Sequence, residues 1–185
     1  MGGYSHASEP IVFERDCPAV MVPQGQSVTL PAGQNGYITQ ALGGSFTVYI
    51  EGNLFRIAGE NADAIGKEAV KAPELPPNAT EEDVKKLAWD QMRSCFDPEI
   101  PINIVDLGLV YDCNVTANPD GTRAIDITMT LTAPGCGMGE VLVEDVKDKV
   151  ERIPTVTTAR VELTFDPPWN QSMMTEAARL QTGMF

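Results

Sequence analysis

One cysteine in this 185-residue chain stands where a thiol could do chemistry. In the stretch "TLTAPGCGMGEV", residues 130–141, Cys136 is flanked by Gly135, Gly137 and Gly139. The glycines strip side chains from around the sulfur and leave backbone N–H groups to face it. The stretch reads as a strand end, a glycine-rich corner and a helix starting near Gly137 to Glu140. The positive end of a helix stabilises a thiolate, and such a setting brings a cysteine pKa well below its usual ~8.5. The same residues also suit a tight turn in which a small apolar cysteine only fills space. Local sequence leaves both readings open.

Several polar residues are candidates to support that sulfur. The connection "FDPEIPINIVDLGLVYD", residues 96–112, carries Asp97, Glu99 and Asp106, while Pro98 and Pro101 keep it extended. These carboxylates could accept a proton or act as hard metal ligands. The plainer reading of Asp106, before Leu107 and Gly108, is a turn cap bonding backbone amides. Thr130 and Thr132 could add hydroxyl hydrogen bonds, although strand alternation places them on the solvent side. Trp169, behind Pro167 and Pro168 in "FDPPWNQSMM", fits a rigidly displayed contact for a partner or subunit, or an indole packed back on its own sheet.

The remaining thiols suit cores. Cys95 falls on an apolar helix stripe and Cys113 on the apolar face of a strand, while Cys17 before Pro18 is undetermined, with core or edge packing ahead of chemistry. No two cysteines have CxxC spacing, and the one histidine, His6, sits near the N-terminus. A self-contained zinc or iron–sulfur site within one chain is not expected; a cluster on Cys136 would need thiols from a second chain. P-loop, GxGxxG, HExxH and GxSxG signatures are absent, and a catalytic Cys–His pair would have to use His6.

The elements that must hold these residues fall into two textures. Residues 1–16 read as a loose tail. Residues 17–70 hold short apolar runs between Gly and Pro turns, the pattern of a small antiparallel β domain, with "NADAIG" forming a helical turn. "KAPELPPNAT" supplies a Pro-rich linker over 71–79, and residues 80–185 form a second domain. There Thr80, with Asp83 three residues on, caps a helix bearing Val84, Leu87, Ala88, Met92 and Cys95. Leu109, Tyr111, Cys113 and Val115 alternate as a strand, and so do Ile125, Ile127, Met129 and Leu131. Leu142, Val146, Val150 and Ile153 form the core stripe of the next helix. Val161, Leu163 and Phe165 give a third strand, and Ser172 caps a last helix with Met173, Ala177 and Leu180 on one side. The class is α+β: a small N-terminal antiparallel β domain, then an α/β sandwich of helix, strand, strand, helix, strand, helix.

Composition narrows the function classes. Hydrophobic residues at 43% and charged residues at 21% are ordinary for a globular protein. A net charge of −13, with only 13 Lys and Arg, argues against nucleic acid or an anionic membrane as partner. Widely spaced cysteines and an N-terminus without a signal-peptide pattern lead to a cytoplasmic expectation.

At "DPEIPINIVDLGLVYD", "TMTLTAPGCGMG" and "VELTFDPPWNQSMMTEAARLQTGM" the chain resembles the PaaD-like family of metal–sulfur cluster assembly factors. The stretch from Arg15 to Gly59 is similar to the extra domain of a longer bacterial member. The resemblance implies a non-catalytic accessory in iron–sulfur protein maturation. It further implies the iron–sulfur assembly machinery and apoprotein clients as partners, and iron or a cluster held transiently rather than permanently. Position by position, the family's reactive cysteine falls on Cys136, its acidic motif on Asp97, Pro98, Glu99 and Asp106, and its threonines on Thr130 and Thr132. One departure stands out: Gly137 follows Cys136 where many relatives have proline, which leaves the helix entry less constrained. A single-thiol ligand favours a homodimer. The competing readings are a thiol oxidoreductase or transferase with Cys136 as nucleophile, lacking a resolving partner, and a pure interaction module whose cysteine only packs.

Overall fold

The computed structural model describes residues 8–97, 100–133 and 139–183. The chain divides into two compact units, Met1–Lys71 and Ala72–Phe185, each with its own hydrophobic cluster.

In the first unit, apolar runs interrupted by turn residues give six strands. They are β1 Glu9–Val12, β2 Cys17–Val22, β3 Gln26–Leu30, β4 Asn35–Leu42, β5 Ser45–Ile50 and β6 Asn53–Ile57. All neighbours are antiparallel, in the order β1-β4-β5-β6-β2-β3. Phe13, Cys17, Val48, Phe55 and Ile57 fill the core. A 3-10 helix, Gly59–Ile65, follows the last strand. Arg15 pins it, donating from Nε and Nη2 to the Asp63 carboxylate at 2.8 and 2.6 Å. The guanidinium holds that carboxyl below the usual range. The loose tail expected over residues 1–16 does not hold for its second half. Glu9–Val12 pairs with β4, and Phe13 is 1% exposed. Three apolar residues are too few for a local strand signal; a partner some 25 residues on supplies the order.

The second unit contains α1 Glu81–Met92, β7 Val110–Ala117, β8 Arg123–Met129, α2 Gly139–Glu151, β9 Val156–Leu163 and α3 Glu176–Thr182. Strand β8 is central, antiparallel to β7 and parallel to β9, with α2 as the crossover. Alternation along β8 turns Ile125, Ile127 and Met129 to one face. Val84, Ala88 and Met92 of α1 and Leu142, Val146 and Val150 of α2 share their core. The opposite face is polar, and Arg160 meets Asp126 across it at 3.1 Å. Carboxylates guard two amides of the outer strands: Cys113 donates to Asp112 at 3.0 Å, and Ala159 donates to Glu151 at 3.1 Å.

Helix α1 opens on a reciprocal capping box. Thr80 Oγ1 accepts from the Asp83 amide, and Asp83 accepts from the Thr80 amide at 2.8 Å. The last helix departs from expectation. Thr175 caps it, not Ser172, and Met174 and Ala178 face the core. Leu180 is 60% exposed. Asn170 instead caps a separate 3-10 turn, Gln171–Met173, which shifts the helix start by one turn. The third strand ends at Leu163, and Phe165 beyond it is exposed.

Two predictions follow from the capping box and the buried thiol. Thr80→Ala should lower the stability of the second unit by about 1 kcal/mol, read from urea denaturation. Burial pushes the Cys113 thiol up to about 11 from its ordinary value of 9.0. The folded state therefore keeps a proton that the unfolded chain has lost between those values, so this contribution to stability is intact below about pH 9 and is lost on the way to about pH 11. The urea midpoint should fall over that window by the equivalent of ~2 kcal/mol, and Cys113→Val should flatten that part of the profile.

Candidate functional site

The acidic connection folds back on itself after α1. Ile104 donates to the Cys95 carbonyl at 2.9 Å, Asp97 donates to the Ile102 carbonyl at 3.2 Å, and Phe96 pairs with Asn103 between them. The apolar residues of the segment drive this hairpin inward: Ile102, Ile104, Leu107 and Leu109 all lie in the core. Their burial carries Asp97 with them, to 3% exposure. A carboxylate at that depth needs partners. Its Oδ1 accepts the Ile100 amide at 3.0 Å, and its Oδ2 accepts the Thr132 hydroxyl at a long 3.5 Å. Asp97 and Thr132 are thus the two predicted site residues that the fold brings into contact.

Asp106 lies in a turn, and the side chain that caps a backbone amide there is that of Asn103. The Asp106 amide donates to Asn103 Oδ1 and its carboxylate accepts from Asn103 Nδ2, both at 2.9 Å. This closes the turn that leads into Leu107 and Gly108. Thr130 is 0% exposed, not solvent-facing. The strand end is enclosed on both sides: Thr130 donates to the Leu109 carbonyl at 2.8 Å, and Thr164 donates to the Met129 carbonyl at 2.8 Å. Its hydroxyl has no hydrogen-bond partner among the described residues. Cys136, Gly135, Gly137 and Glu99 lie outside the described residues. The corner's flanks do not. Thr132 enters it in contact with Asp97, and α2 leaves it at Gly139. Gly139 is buried, and a Cβ there would come within 2.7 Å of Leu131.

Trp169 is half-buried and packs against the core of its own unit. Its Nε1–H donates to the Leu107 carbonyl at 2.7 Å. Sequence reading missed what surrounds it. Tyr111 donates its hydroxyl to the Pro167 carbonyl at 2.7 Å, and Thr175 donates its amide to the Asp106 carbonyl at 2.9 Å. Gly108 has φ +77°, and a Cβ on it would stand 2.3 Å from the Met173 carbonyl oxygen. The available signal was Gly108 itself, a glycine between two apolar residues in a segment otherwise bound for the core.

The thiols of Cys17, Cys95 and Cys113 are all buried. Burial raises the pKa of Cys17 as well as that of Cys113. Neutral, enclosed thiols are poor metal ligands and poor nucleophiles. Among the described residues no group of three or more His, Cys, Asp or Glu is arranged to hold a metal ion. None of their helices is long and apolar enough to cross a membrane.

Comparison with known proteins agrees with the sequence resemblance. The model of the family described as "Iron-sulfur cluster assembly protein" matches residues 85–163, inside the second unit. The chain is 45% identical over 104 residues to an Fe-S protein maturation auxiliary factor of Porphyromonas gingivalis, covering 56% of this chain and 91% of that one. It is 36% identical over 104 residues to the Fe-S protein maturation auxiliary factor YitW of Bacillus subtilis, covering 56% and 98%. It is 40% identical over 89 residues to the Fe-S protein maturation auxiliary factor SufT of Staphylococcus aureus, covering 48% and 97%. From the acidic hairpin through β9, the chain belongs to the iron–sulfur cluster assembly protein family.

Proposed function

We propose that this protein is a non-catalytic accessory that helps deliver or insert iron–sulfur clusters into apoproteins, with Cys136 as a transient ligand or partner contact. The observation that carries the reading is its likeness to three relatives named as Fe-S protein maturation auxiliary factors, each covered over nine-tenths of its length. The distribution of thiols supports it further. The other three cysteines are committed to cores, which leaves Cys136 to ligate. Its sulfur gives up a proton as it binds iron. The start of α2, three residues on, favours the resulting anion through the helix dipole. Asp97 and Thr132 meet at the entrance to the corner, where the carboxylate supports the thiol. One thiol cannot complete the four-coordinate iron of a cluster. The other ligands come from a second copy, the assembly machinery or the client, and such shared ligation suits transfer better than storage.

Cys136→Ser should impair maturation of cluster enzymes while leaving the urea transition unchanged. Fully active client enzymes in that background would overturn the proposal. In anaerobic reconstitution with iron and sulfide, the wild-type chain should gain cluster absorbance and a dimer mass, and Cys136→Ser should gain neither. Turnover of thiol or persulfide substrates would instead favour a thiol transferase. Asp97→Ala strands the Ile100 amide and should cost about 1–3 kcal/mol of stability in urea denaturation.

A further inference from the structure

The loop from Asp97 to Leu107 has little regular structure to hold it. One short bridge and a few turn bonds connect it internally. Burial of Ile102, Ile104 and Leu107 anchors it in the core, and the segment that follows β9 holds its far end. That segment holds it at two places, Trp169 on the Leu107 carbonyl and Thr175 on the Asp106 carbonyl, and it meets the residues just beyond, where Tyr111 donates to the Pro167 carbonyl and the Met173 backbone lies against Gly108. From Leu107 the bonds run on without a gap. The Leu107 amide donates to the Asn103 carbonyl at 3.1 Å, Asn103 pairs with Phe96, and Asp97 follows in the chain. Asp97 then meets Thr132, which leads into the Cys136 corner.

We propose that Trp169 is a positioning residue: its indole N–H, through the Leu107 carbonyl, holds the acidic loop so that the Asp97 carboxylate stays against Thr132. The role of that contact in iron loading rests on the reading of Asp97 as support for Cys136; the positioning itself does not. A half-buried indole whose N–H is spent inside its own unit is better suited to fix a loop than to greet a partner. Contacts of this kind matter because a displacement of an ångström in a supporting residue is enough to misplace a reacting group.

The test uses the full-length chain with Trp169 replaced by benzothienylalanine, which keeps the ring shape and removes the N–H donor. Gly108→Ala is the second variant, since it pushes on the same segment from the Met173 side. Hydrogen exchange is followed residue by residue by NMR. The Ile100 and Leu107 amides should exchange about tenfold faster in the isostere, while Ile127 and Val161 in the sheet stay within about twofold. Unchanged exchange at Ile100 and Leu107 in both variants overturns the proposal. So does a uniform acceleration across the unit, which would make Trp169 an ordinary core side chain. Iron loading from ferrous iron and sulfide supplies the readout that packing alone would not move. The isostere should lower loading severalfold in the wild-type chain and add less than about twofold to Asp97→Asn, because both changes act on one contact. Additive losses there would overturn the route through Asp97. If exchange responds as expected but Cys136→Ser matures its clients normally, the positioning stands and only the reading of the corner falls.

Discussion

The second unit depends on one constraint: the segment from Cys95 to Leu109 must bury its apolar residues without stranding its backbone. Ile102, Ile104, Leu107 and Leu109 enter the core, yet the segment forms neither a helix nor a full strand. Every buried amide and carbonyl then needs a partner found locally or borrowed from elsewhere. The hairpin at Phe96 and Asn103, the Asn103–Asp106 side-chain pair and the indole of Trp169 meet that demand in turn. Asp97 is buried as a consequence, and its contact with Thr132 follows from hydrophobic burial of its neighbours rather than from any attraction between those two side chains alone.

Much of this was visible in the sequence where one periodicity dominates. Val84, Ala88 and Met92 recur at helical spacing and are buried; Ile125, Ile127 and Met129 alternate and share one face. Thr80 and Asp83 mark a helix start that the structure caps on both sides. In these stretches local propensity and tertiary burial agree, so the pattern is sufficient. Cys95 and Cys113 were readable as core residues for the same reason, whereas Cys17 lies on no such stripe.

The rest was hidden because it depends on residues far apart in the chain. Thr130 continues an alternation that points it outward, yet Leu109 and Thr164 enclose the strand end and bury it. Glu9–Val12 has too few apolar residues to announce a strand before β4 is beside it. Trp169 had no periodic partner because its partner is a single carbonyl 62 residues away. Asp106, by contrast, could be read as a turn residue, since Asn103 lies only three positions before it.

The parallel pairing of β8 with β9 carries a consequence for the order of events on a newly made chain. An antiparallel hairpin such as β7–β8 closes as soon as both strands exist, but a parallel partner must wait until the crossover helix has been synthesised and folded back. The residues beyond β9 that secure the acidic loop come later still. The contact of Asp97 with Thr132 therefore reaches its final arrangement only after the segment beyond β9 has been made. Until then the Leu107 carbonyl lacks the indole N–H that holds it, and the loop it ends is secured only by its own turns and its buried side chains.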